Sequence, residues 1–249
     1  MFTCNDIMHS DNANLVTSTH FEWLGGLLQT TDTLFPSGGY AHSYGLEEMV
    51  ALGRVKSKQD LEEFLMQQIL PSLEKLELPY LRYSVETLGR DNLNELLILN
   101  EEISAWKLTR EIRDAGKSQG AQLLRMILEI HPCPICQQFR KLLQKSGDQC
   151  QQIIATALLR NAQKTPLASS MIAWVYQVIS NFCSAAVKLL RLGELACQKI
   201  IHRCISGEKV QRLLSNSLSV KREDAGFFNP MLDLASARHE LAFSRLFIS

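Results

Sequence analysis

The chain has 249 residues, with 26 Lys and Arg against 26 Asp and Glu, and so no formal net charge. That balance argues against nucleic acid as a ligand, because nucleic-acid binders normally carry a marked basic excess. Hydrophobic residues at 46% and charged residues at 21% exclude an intrinsically disordered chain and suit one globular domain, or at most two.

Residues 1–20 are polar, with no basic start and no continuous apolar stretch, and are expected to form a flexible leader rather than a signal peptide. From residue 21 onward apolar side chains recur at helical spacing, and no alternating strand pattern competes with them. A first helix is expected over 21–31, stopped by Leu34-Phe35-Pro36-Ser37-Gly38-Gly39, and a second over 40–52, ended by Gly53. Ser57 caps a third, with Asp60 in its first turn, and Pro71 ends it. Further helices follow at 75–88, 91–105, 107–130, 136–146 and 149–163, with breaks at Gly89-Arg90-Asp91 and Ser146-Gly147-Asp148. Thr165-Pro166 then opens a long uncharged run to Val187. Helices at 192–206 and 208–217 lead to an irregular stretch over 219–228, and Asn229-Pro230 opens a last helix over 230–249.

The uncharged run is long enough to span a bilayer, but Gln177, Asn181 and several serines interrupt it, so a buried central helix is expected. There is no internal repeat, and no Gly-, Ser- or Pro-rich linker divides the chain. The fold expected is therefore all-α, one domain over 21–249, a bundle of about ten helices around a central apolar helix. Seven widely spread cysteines suit reduced thiols better than a disulfide framework. A soluble, cytoplasmic protein with no membrane contact follows as the expectation.

The zero charge is unevenly laid out. Residues 1–53 contain Asp6, Asp11, Glu22, Asp32, Glu47 and Glu48 and no Lys or Arg, whereas in 188–222 only Glu194 and Glu208 oppose the basic residues. These two stretches suit partners of opposite sign, or each other.

Motifs for chemistry are sparse. Gly116-Lys117-Ser118 hints at a phosphate-binding loop, but Glu111 stands where its first glycine belongs, and the segment is helical with no strand before it. Gly116 and Gly120 share one helix face, each costing about 1 kcal/mol of helix propensity relative to Ala, which points to close approach of a neighbouring backbone. His131, Cys133 and Cys136 are weak metal-ligand candidates, since no second C-x-x-C or H-x-x-H completes a site. A thioredoxin-like role for the pair requires a strand-to-helix setting that is absent. No nucleophile elbow, dinucleotide fingerprint or H-E-x-x-H helix occurs, so no catalytic residue is assigned. On the last helix, Leu232, Ala235, His239, Ala242 and Leu246 form one stripe, and Leu234, Arg238, Leu241 and Arg245 another. That pattern fits either a terminal helix docked on the core or a recognition helix whose Leu/Arg face meets another protein.

Two segments resemble a known family. Leu27-Leu28-Gln29, Asp32 and Pro36-Ser37-Gly38-Gly39-Tyr40-Ala41-His42-Ser43-Tyr44-Gly45-Leu46-Glu47 look like the N-terminal signature of the UreF family of urease accessory proteins. Pro230-Met231-Leu232-Asp233-Leu234-Ala235-Ser236-Ala237-Arg238-His239-Glu240, with Ser244-Arg245-Leu246-Phe247-Ile248-Ser249, resembles its C-terminal signature. Arg113, Gly120, Leu123-Leu124-Arg125 and Ser184-Ala185-Ala186-Val187-Lys188-Leu189 fit its middle. The chain departs at Arg191-Leu192-Gly193-Glu194, where the family commonly has Pro-Leu-Gly-Gln, and Cys133 and Cys136 do not belong to the family pattern.

The resemblance implies a non-enzymatic, homodimeric scaffold that joins a UreD/UreH-type partner and the GTPase UreG to deliver nickel to apo-urease. Nickel would be the transported ion, with no cofactor held stably. The lack of a phosphate loop agrees with GTP being bound by a partner. Tyr40, His42, Glu47, Arg238, His239, Leu241, Arg245 and Phe247 are the expected partner-binding residues, and the segment 230–249 the expected partner-binding helix. Pro36, Gly38, Gly39, Ser43, Gly45, Gly116 and Gly120 are expected to shape the fold. Two alternatives accompany this: a GTPase activator using Arg238 or Arg245 as an arginine finger, and a metallochaperone binding nickel directly.

Overall fold

The computed structural model describes residues 21–248 except Thr33 and Ser37, and of Tyr40 only the main chain. The expected leader at 1–20, Ser37, Ser249 and the Tyr40 side chain therefore lie outside the described residues.

Among these residues there is no strand, and eleven α-helices follow one another. They are α1 (Glu22–Thr31), α2 (Leu46–Ala51), α3 (58–88), α4 (Leu93–Trp106), α5 (Arg110–Ile130) and α6 (Pro134–Ser146). After these come α7 (Gln152–Ala162), α8 (Leu167–Leu189), α9 (Glu194–Ile205), α10 (Gly207–Ser219) and α11 (Pro230–His239). One hydrophobic cluster runs from Leu46 to Phe247 and draws side chains from α2 to α11, as an all-α single domain requires. At its centre is α8, which touches α1, α2, α3, α9 and α10. Among the described residues it is the one helix long and apolar enough to cross a membrane, and most of it is buried inside the protein.

The capping signals at Ser57 and Asn229 operate as the sequence suggests. The Ser57 hydroxyl accepts from Asp60 N–H while the Asp60 carboxylate accepts from Ser57 N–H, and Asn229 Oδ1 accepts from Leu232 N–H. Thr165 does not cap α8; Pro166 holds that place, and its carbonyl accepts from Ser170 N–H.

Pro71, expected to end the third helix, does not, and that helix runs on into the one expected at 75–88. The third helix passes through Pro71 and Pro79 because wide π-type turns, Leu65–Ile69 and Leu73–Glu77, precede them. Proline removes an N–H donor and crowds the carbonyl four residues back, and a π turn supplies the missing room. The carbonyl four residues before Pro79, that of Lys75, accepts instead from Gly226 N–H at 3.0 Å.

The long α5 passes close to the entry of α7. A Cβ at Gly120 would lie 2.0 Å from the Cys150 carbonyl oxygen, and one at Gly116 would lie 2.3 Å from Gln151 Oε1. At Gly120 the close neighbour is backbone, as the spacing predicts, whereas at Gly116 it is the side chains of Gln151 and Lys107; α5 runs unbroken through Gly116-Lys117-Ser118.

Three sequence expectations change. The helix over 40–52 is instead a 3-10 turn (Gly39–Ala41), an extended link and the short α2. Tyr44 and Gly45 between them both have positive φ, which no right-handed helix accommodates. The helix expected over 230–249 stops at His239, and residues 241–248 fold back non-helically. The cysteines are not all thiols: Cys133 and Cys136 form a disulfide, while Cys150, Cys183, Cys197 and Cys204 are free and buried.

Candidate functional site

The two signature segments meet in space. Gly45 allows this locally: a Cβ there would lie 2.9 Å from a methyl of Leu232 on α11, and its φ of 85° suits glycine. Tyr44, which also has positive φ, is held by its hydroxyl donating to Gln119 Oε1 at 2.8 Å and by packing on Phe182 and His42. Burial keeps the Tyr44 phenol protonated, pushing its pKa well above the ordinary range, and pulls that of His42 down. Ser43, fully buried, accepts from Glu47 N–H in the first turn of α2 at 3.4 Å.

The turn delivers Glu47 to the centre of a polar clasp. His239, only 1% exposed, has Nε2 3.0 Å from Glu47 Oε2 and Nδ1 2.9 Å from Oε1 of Glu111 on α5. Both ring nitrogens thus face carboxylate oxygens, and Glu111 Oε2 also lies 3.1 Å from Nδ1. Glu47 also takes the main-chain N–H groups of Leu246 at 2.7 Å and Phe247 at 3.0 Å. These bonds hold the segment beyond the last helix in its folded-back path. The carboxylate captures N–H groups beyond residue 239, and the Phe247 ring turns into the core beneath Lys188.

Around this centre Arg238 donates to Glu48 Oε1 at 2.7 Å, Arg245 to Glu111 Oε1 at 3.2 Å, and Arg110 pairs with Glu240. Thr109 and Ser236 hydroxyls lie 3.0 Å apart, and Ile248 N–H donates to the Ala41 carbonyl. Glu47 and Glu48 of the acidic front therefore meet the Arg-bearing tail.

The expected site residues divide into two kinds. Glu47, His239 and Phe247 anchor the tail from inside, His42 is buried, and Arg238 and Arg245 are half-exposed but paired with acids. An arginine finger from either would have to leave its carboxylate. Leu241 is 86% exposed, as a partner-facing residue must be. With it Met231, Leu234, Phe243, Leu246 and Ile248 also present apolar side chains to solvent. Single exposed apolar residues are ordinary, but six within eighteen consecutive positions, 231–248, are not. Sequence reasoning missed Phe243, Glu48 and Glu111. The helical-wheel argument put Phe243 on no stripe, and a lone Glu opening a helix carries no signal of its partner.

The metal candidates do not assemble. Cys133 and Cys136 are joined to each other, and no group of three His, Cys, Asp or Glu side chains among the described residues is placed to hold an ion. Pro36 lies at the rim of a polar cleft of about 910 Å³ whose walls include Gly38, Gly39, His42, Gln119 and Asn181; there the Pro36 carbonyl accepts from Gln122. A Cβ at Gly39 would lie 2.8 Å from Asn181 Nδ2.

Comparison with known proteins gives the same family as the signatures. The UreF family model matches residues 55–205. The urease accessory protein UreF of Actinobacillus pleuropneumoniae is 27% identical over 226 residues, covering 91% of this chain and 99% of that protein. UreF of Marinomonas sp. (strain MWYL1) is 27% identical over 223 residues (90% and 93%), and that of Trichormus variabilis 26% over 227 residues (90% and 94%).

Proposed function

Because the chain belongs to the UreF family of urease accessory proteins, we propose that it acts as a non-catalytic scaffold in urease maturation. In this reading it bridges a UreD/UreH-type partner and the GTPase UreG. The assembly then delivers nickel to apo-urease with GTP hydrolysis, in the cytoplasm and with this chain as a homodimer. Nickel is cargo passed through the assembly rather than a cofactor kept by this chain.

The observation that carries the proposal is the C-terminal segment. A buried Glu47–His239–Glu111 arrangement fixes it from beneath, and six apolar side chains stand exposed along it. Prepaying the ordering of a binding segment lowers the entropy lost on association. Exposed Leu, Met and Phe beside half-exposed Arg238 and Arg245 have the composition of an interface core with a polar rim. Co-expression of the chain with the partner, the GTPase and urease tests this. The four should be recovered together, and urease should gain nickel in the presence of GTP only when the chain is present. Nickel loading that is indifferent to the chain would defeat it.

A further inference from the structure

Cys133 and Cys136, which the maturation role does not use, lie at the N-cap and in the first turn of α6 and are bonded to each other. From their setting we infer that they form a thiol–disulfide exchange site for low-molecular-weight thiols of the glutathione class.

Four features of the setting support this. The bridge spans a sequence separation of only 3, so it closes too short a loop to restrict the unfolded chain much, and stapling the fold is not its main effect. The two sulfurs differ in access: Cys136 is 0% exposed within the core, whereas Cys133 is only partly buried at the rim. An incoming thiolate therefore reaches Cys133 and expels Cys136. Cys133 also occupies the N-cap of α6, where no side chain caps the helix and Pro134 supplies no N–H. A thiolate released there lies beside the free N–H groups and positive end of the helix, which stabilise negative charge. Finally, Cys136 as a free thiol is a small apolar group that suits its buried position.

The exchange proceeds in two steps. A glutathione thiolate attacks Cys133 Sγ, the Cys133–Cys136 bond breaks, and Cys136 Sγ leaves with the electron pair and takes up a proton. A second glutathione thiolate attacks the glutathione sulfur of the mixed disulfide and frees Cys133. In sum, one protein disulfide and two thiols give two protein thiols and oxidised glutathione. No strand leads into the pair, so this is a site that responds to the thiol pool, not a thioredoxin-like oxidoreductase centre.

The test incubates the full chain in buffers of graded reduced-to-oxidised glutathione ratio, quenches with acid, alkylates and maps each cysteine by peptide mass. Cys133 and Cys136 should pass together from protected to fully alkylated as the ratio rises. Alkylated briefly before any denaturing quench, the buried Cys150, Cys183, Cys197 and Cys204 should stay unlabelled. Cys136→Ser should trap glutathione on Cys133, and Cys133→Ser should trap far less on Cys136. A pair alkylated at every ratio, a pair protected at every ratio, or equal trapping in the two variants would each overturn the inference.

Discussion

His239 Nε2 lies 3.0 Å from Oε2 of Glu47, across 192 positions of sequence. That contact ties the N-terminal signature to the C-terminal one, and with Glu111 on the far side of the ring it turns two separate motifs into one structure. Much of what makes these residues recognisable in the sequence is therefore internal. They hold a tail, and the tail presents the surface.

Removing the ring tests the clasp. His239→Ala leaves Glu47 and Glu111 facing an emptied position with no shared partner, and removing one partner from such buried hydrogen bonds destabilises by about 2 kcal/mol. Glu47→Gln keeps an acceptor and should destabilise by only about 1 kcal/mol. In a double-mutant cycle measured by urea unfolding, the two changes should be non-additive by about 1 kcal/mol or more. Strict additivity would mean that the side chains do not interact.

Phe247 is the tail's apolar anchor, 5% exposed and stacked by Lys188. Phe247→Ala should destabilise the protein by about 3 kcal/mol and make the segment after His239 more open to proteolysis. A thermal midpoint equal to wild type, with an unchanged cleavage pattern, would remove Phe247 from the account.

Gly120 offers a harsher test of packing. A methyl there would meet the Cys150 carbonyl at 2.0 Å, and backbone cannot move aside as a side chain can. Gly120→Ala should give insoluble or unfolded protein, whereas Gly193→Ala, with nothing within 4 Å, should fold normally. The soluble yield of each variant, with circular dichroism of what is recovered, decides; a Gly120→Ala protein as soluble and helical as wild type would contradict the packing.

How much of this is legible in the sequence depends on the range of the interaction. Periodicity finds the helices, the Ser57 and Asn229 caps mark their starts, and the Gly116/Gly120 spacing announces a close neighbour, because each of these signals is local. The misreadings arise where a distant group overrides local preference. Pro71 reads as a break, yet a widened turn carries the helix through it, and a second does so at Pro79, where Gly226 takes the carbonyl freed. Residues 241–248 have helical spacing, yet Glu47 claims two of their N–H groups. The site was legible as residue types and illegible as geometry: nothing in the sequence says that His239 points inward while Phe243 points out.

The same geometry changes which variant is informative. Deleting 230–249 would strip Ala235, Ser236, His239 and Phe247 from the interior and expose the acids they cover, so loss of assembly would not separate folding from binding. Substitution of the exposed side chains avoids that. The most direct measurement is co-purification of Leu241→Asp/Phe243→Asp with the UreD/UreH-type partner, the GTPase and urease, with urease nickel assayed in the same cells. The account predicts a variant as helical and as stable as wild type that recovers no partner and leaves urease without nickel. Partner recovery and nickel loading at wild-type level, with both apolar side chains replaced by charge, would contradict it.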